Sequence, residues 1–133
     1  MHQEYIVSNF YKFLKLNNID EIKIKLKNQL INLDIKGSFL IGNEGVNGSF
    51  SVKTKDLRKT ISLINSVFND KFKFTLQSHH SHAFLRLKIK IKKEIVTIGK
   101  KSIQPLTVSG QYLSPQEWEE IINCQNVIMI DTR

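Results

Sequence analysis

The run from Leu85 to Lys92 alternates without interruption, with Leu85, Leu87, Ile89 and Ile91 on one parity and Arg86, Lys88, Lys90 and Lys92 on the other. A period of two belongs to a β-strand with one buried and one solvated face, so the chain must build a sheet that is covered on one side only. Side chains on one face of a strand stand ~7 Å apart, so the cationic parity makes a stripe with a spacing comparable to phosphates along a nucleic-acid strand. No acidic residue interrupts the four cationic positions. The plainer alternative is a solvated face whose lysines discourage edge pairing. Lys93 breaks the parity, which predicts a bulge that re-aims the end of the stripe.

Two amphipathic helices can supply the cover. Residues 5–16, "YIVSNFYKFLKL", are rich in aromatic and β-branched types and read as a strand. "NNID" then makes a turn with Asp20 as helix cap, and Ile22, Leu26, Leu30 and Leu33 recur at helical spacing up to Gly37, which closes the helix and opens the next strand. "SFLIG" and "GSFSVK" read as a hairpin around residues 42–48. A second helix is predicted after Thr54 as cap, with Leu57, Ile61, Ile64 and Phe68 on one stripe. "KFKFTLQ", the polar "SHHSHA" and the alternating run through Gly99 follow. Strand, helix, hairpin, helix, strand is the split βαβ order, so the fold class is α+β, a ferredoxin-like βαββαβ sandwich with both helices on one face of an antiparallel sheet.

The pattern changes after Lys101. Residues 102–109 read as a linker, and residues 110–133 as the opening of a second unit. There Ser114, Pro115 and Glu117 form a capping-box signature, and "VIMI" at 127–130 reads as a fully buried, parallel-type strand.

The hairpin segment "GNEGVNG" does not meet the Walker A spacing, since no lysine follows Gly48. "GVNG" matches the GxxG of KH domains, but strands rather than helices flank it. Positive φ at several turn positions accounts for Gly42, Gly45, Asn47 and Gly48, and leaves Glu44 without a conformational reason.

At 133 residues with 41% apolar content the chain suffices for a core without covalent staples. The net charge of +8 and a pI near 9.6 favour a phosphate-rich partner. No apolar run is long enough to span a bilayer and the first residues lack a leader pattern, so the expected location is the cytoplasm, with no membrane partner. Cys124 is the one cysteine and has no zinc-spaced companion, which reads as an inert thiol. His79, His80 and His82 lack acidic or thiol companions, so they read as an exposed loop with no metal.

Three stretches together resemble a known family. "GSFLIGNEGVNGSF", "FLRLKIKIKKEIVTIG" and "GQYLSPQEWEEII" with "VIMIDTR" are similar, in this order, to segments of the bacterial rhodanese-domain proteins that hydroxylate uridine 34 of tRNA. The resemblance runs from about Tyr5 to Arg133. Asn43 and Ile98 depart from it, where small residues and methionine are usual. It implies an acylphosphatase-like domain over residues 1–101 and the first β-α-β elements of a truncated rhodanese domain over 110–133. It implies an oxygen-dependent formation of 5-hydroxyuridine at the wobble position, with molecular oxygen as co-substrate of the parent enzyme. No cofactor and no catalytic residue is expected in this chain, because the family's cysteine loop lies beyond Arg133 and Cys124 does not match it. Acylphosphatase chemistry is not expected either, since "KLNNID" carries neither the glycine nor the arginine of that enzyme's phosphate loop.

The expectation is therefore an N-terminal tRNA-recruiting module. Arg86, Lys88, Lys90, Lys92 and Lys93 contact the RNA backbone, and the loop with Glu44, Gly45, Asn47 and Gly48 serves domain docking or tRNA contact. Partners are tRNA, in its anticodon region, and a rhodanese domain in cis. The competing reading is the N-terminal domain of a rhodanese-type sulfurtransferase that docks a protein or sulfur acceptor.

Overall fold

The computed structural model describes residues 4–96 and 110–131. Its elements are β1 (Tyr5–Phe13), α1 (Ile19–Leu30), β2 (Ile35–Gly42), β3 (Gly45–Lys53), a 3-10 turn at Thr54–Asp56, α2 (Leu57–Phe68), β4 (Thr75–His79), β5 (Leu87–Ile91) and α3 (Pro115–Ile122). The strands form one sheet in the order β4-β1-β3-β2-β5. β1, β3, β2 and β4 pair antiparallel, which is the expected βαββαβ arrangement.

One face of the sheet is apolar because alternate positions of its strands are. Phe10 of β1, Ile35, Phe39 and Ile41 of β2, and Val46, Phe50 and Val52 of β3 are buried against Leu26 and Leu30 of α1 and Ile64, Val67 and Phe68 of α2. The Phe39 and Phe50 rings stack at 6.0 Å in the middle of this layer. Completely burying side chains of this size contributes about 1.5–3 kcal/mol each, so the two-layer core is the main source of stability.

Several local expectations are revised. α1 begins after Asn18 in the left-handed conformation, and Asp20 lies in the first turn, where the helix dipole favours its charge. Thr54 opens the 3-10 turn and does not cap α2. Gly37 lies inside β2 rather than at a helix end. Its φ is +156°, and a Cβ there would run into the backbone of Ser49 and Phe50.

The alternating run also divides differently. β4 is the strand that returns beside β1, and β5 is an additional fifth strand, parallel to β2 on the opposite edge. It spans Leu87–Ile91 only, so Arg86 precedes it and Leu85, 95% exposed, is no part of the buried face. The reason is connectivity. The chain leaves β4 at one edge, and residues 80–86 are spent crossing to the other. Residues 97–99, at the end of the predicted strand, and the 102–109 linker lie outside the described residues.

In the 110–131 segment the capping box forms as read: Glu117 N–H donates to Ser114 Oγ at 3.2 Å, and Ser114 N–H donates to Glu117 Oε2 at 2.7 Å. Residues 127–130 are neither a strand nor buried, Ile128 being 89% and Ile130 78% exposed. A strand hidden on both faces needs neighbours to pair with, and β1 to β5 offer it none. Among the described residues no helix is long and apolar enough to cross a membrane.

Candidate nucleic-acid interface

None of the five strands contains an aspartate or a glutamate. Their positions on the helix-free face are mostly hydroxyl, amide and lysine side chains. The β2–β5 register places Lys88 beside Ser38 and Lys90 beside Leu40, and both lysines are exposed while Leu87, Ile89 and Ile91 are half-buried. Lys92 and Lys93 follow the strand and are exposed. The parity break at Lys93 comes after the strand has ended, so no bulge is needed. Arg86, Lys88, Lys90, Lys92 and Lys93 thus line one edge, and none of the ion pairs among the described residues involves them.

Two side-chain devices fix this edge, one before β5 and one after it. Before it, the crossing segment carries His82 past the ends of three strands, and the ring meets a partner at each. Its centroid lies 4.6 Å from that of Tyr5 on β1, Nδ1 is 2.9 Å from Ser51 Oγ on β3, and Nε2 is 3.0 Å from Asp34 Oδ1 just before β2. With the ring neutral, Nε2–H donates to Asp34 and Nδ1 accepts from the Ser51 hydroxyl, whose oxygen accepts from Ala83 N–H at 3.3 Å. The hydrogen bond from His82 holds the Asp34 carboxyl below the ordinary carboxylate range, with help from Lys53 and Lys36. Ser51 is fully buried, so this Asp-His-Ser set acts as a pin and not as a nucleophile. His79 and His80 are exposed as expected, whereas His82 is not. Among the described residues no cluster could hold a metal ion.

After β5 the hairpin loop takes over. Lys92 N–H continues the pairing to Ile41 C=O at 2.9 Å. Glu44 Oε1 then accepts from Ile95 N–H at 2.6 Å, and Asn47 Nδ2 donates to Ile95 C=O at 3.2 Å. One peptide residue is therefore held at both its donor and its acceptor, and its side chain is buried. The same turn binds the β1–α1 loop, since Leu14 N–H donates to Glu44 C=O and Leu16 N–H to Asn43 C=O, both at 3.0 Å.

The glycines of "GNEGVNG" serve this packing more than the turn. Only Gly45 has a left-handed φ, +146°, and a Cβ there would meet the Lys12 backbone. Gly42 and Gly48 are needed for space: a Cβ would lie 2.6 Å from Lys92 O in the first case and 2.5 Å from Phe10 Cε1 in the second. Asn47 does not have positive φ, contrary to the expectation; its amide is the reason for its presence. Sequence reasoning marked Glu44 and Asn47 but had no partner for them. It missed Asp34, Ser51 and His82, whose separations in the chain carry no periodic signal. Cys124 is exposed at the end of α3, where its Sγ–H donates to Glu120 C=O at 3.4 Å.

Topology and site together define an acylphosphatase-like α+β domain that bears a clamped cationic edge. Residues 5–95 match the family model described as the UPF0176 acylphosphatase like domain, and the chain belongs to that family. It is 35% identical over 134 residues to a tRNA uridine(34) hydroxylase of Legionella pneumophila strain Corby, covering 98% of this chain and 52% of the relative. It is 36% identical over 130 residues to a protein of the same name from Pelagibacter ubique strain HTCC1062, covering 96% and 42%. The chain spans about half the length of the curated relatives it matches.

Proposed function

We propose that this chain recruits tRNA for hydroxylation of uridine 34, holding the anticodon region by its phosphates. The reaction takes molecular oxygen as co-substrate and is carried out by a rhodanese domain in cis. The names of the relatives support the substrate class. The observation that carries the reading is the edge itself: five cationic side chains without ion-pair partners among the described residues, fixed to the sheet by His82 on one side and by Glu44 and Asn47 on the other. Phosphate contacts of this kind position a nucleic acid without reading its sequence. A scaffold that fixes cations at strand spacing is worth more than the same charges on loose side chains, because less freedom is lost on binding.

Fluorescence anisotropy of the chain with tRNA across a salt series tests this. Each phosphate contact adds about 0.7–0.9 to the slope of log affinity against log salt. Replacing Lys88, Lys90 and Lys92 together with glutamine is expected to weaken binding and flatten the slope by about 2–3. An unchanged slope would leave these lysines with a solvating role only.

A further inference from the structure

We propose that the helix-free face of the sheet seats single-stranded RNA, with phosphates on Lys36, Lys88 and Lys90 and a base against the ring of Tyr11. This rests on the RNA-binding reading above and specifies which form of RNA the surface takes and where. The register lays the face out in rows. One row runs Tyr11, Asn47, Leu40, Lys90 across β1, β3, β2 and β5, and the next runs Asn9, Ser49, Ser38, Lys88. Lys36 lies beside Ser51 in the row below.

Charge and stacking surface are therefore separated. The cations stand on the β2–β5 side, and the Tyr11 ring, 52% exposed, stands three strand spacings away, roughly 14 Å. Between them Ser49 and Ser38 carry hydroxyls and Leu40 an apolar side chain, while the Asn47 amide is taken up by Ile95 C=O; none of these strand positions is a carboxylate. An A-form duplex presents phosphates and a shallow groove, and its stacked bases cannot reach a ring on a flat sheet. Unstacked nucleotides can lie across the strands, backbone on the cations and base on the aromatic, which is how sheet faces accommodate single strands. The charge of the face is net positive, its neighbouring carboxylate Asp34 being engaged by His82 and Lys53, which fits a polyanion, while the hydroxyls of Ser38 and Ser49 do not suit an apolar protein partner. The Tyr11 hydroxyl meets that of Tyr112 at 2.6 Å, so the hydroxyl is engaged while the ring remains available.

The test uses the whole chain and a fluorescein-labelled single-stranded RNA of about ten nucleotides, within the ~4–16 that such platforms occupy, against a self-complementary duplex of equal charge. The single strand is expected to bind at least about ten-fold more tightly. Tyr11→Ala is expected to cost about 5- to 100-fold in single-strand affinity with little change in salt slope, the scale of one stacked base. Tyr11→Phe, which removes only the bond to Tyr112, is expected to keep wild-type affinity; a loss equal to that of Tyr11→Ala would overturn the stacking role. Equal binding of duplex and single strand, or an unaffected Tyr11→Ala, would overturn the proposal while leaving phosphate recruitment by the β5 lysines intact. Failure of the chain to bind either RNA or tRNA would remove both readings.

Discussion

Glu44 and Ile95 are 51 positions apart, yet the carboxylate of the first holds the backbone N–H of the second at 2.6 Å. Asn47 completes the grip on the Ile95 carbonyl. The acidic residue of a glycine-rich loop is thus part of the frame on which Lys92 and Lys93 are displayed.

Replacing Glu44 with alanine leaves the Ile95 N–H without its acceptor in a half-buried site. Removing one partner of such a bond costs about 1–3 kcal/mol. Urea denaturation is expected to show a loss in that range for Glu44→Ala and a smaller one for Glu44→Gln, which keeps an acceptor oxygen. Amide exchange at Ile95 should accelerate in both variants; an unaltered exchange rate would contradict the grip.

The glycines of the loop should differ in sensitivity, and for different reasons. Gly48→Ala pushes a methyl into the Phe10 and Phe39 rings, an overpacking cost of about 1–3 kcal/mol. Gly45→Ala combines a left-handed backbone with a collision against the Lys12 backbone and should be the worst of the set. Thermal melts of Gly42→Ala, Gly45→Ala and Gly48→Ala rank them. A Gly45 variant as stable as wild type would refute the assignment.

The Asp34–His82 contact predicts a pH dependence. In the folded chain the Asp34 carboxyl gives up its proton more readily than the ordinary value of about 3.9. Between that value and the lower folded one, the unfolded chain binds more protons, so stability rises with pH through this window. The contribution is complete above about pH 4 and disappears as pH falls through the folded value. Asp34→Asn should therefore lower Tm at pH 7 and have a smaller disadvantage at a second, acidic pH below the ordinary carboxylate value. A Tm deficit that is the same at both pH values would rule out the charge on Asp34 as its source.

Trp118 is the single tryptophan and lies on α3, which has no buried residue. Its fluorescence should report the 110–131 segment and stay nearly constant through the urea transition that circular dichroism records for the β1–β5 sheet with α1 and α2. Coincident transitions would show that the segment unfolds with the sheet.

The helices and the hairpin were legible because their information is local. Ile22, Leu26 and Leu30 recur at helical spacing whether or not a partner is known, and "SFLIG" and "GSFSVK" announce a hairpin by proximity. The alternating run was misleading for the same reason, since Leu85 and Arg86 keep the period of two while the chain is still crossing the sheet. The cationic residues could be named but not placed, as nothing in the run says that its strand lies parallel to β2. His82 was opaque because its three partners, Tyr5, Ser51 and Asp34, come together only after the strands have paired.

The crossing also makes the two edges of the sheet depend on each other. Residues 80–86 bridge four strand spacings, roughly 19 Å, from the edge that β4 occupies to the one that β2 offers. β5 is accordingly an edge strand whose seat depends on β2, held to the rest by Leu87, Ile89 and the His82 and Ile95 contacts on either side of it. Native-state exchange should find its amides opening ahead of those of β1 and β3. The lysines ride on an outer margin of the sheet, so a ligand that grips them would also fasten that margin to the strands inside it.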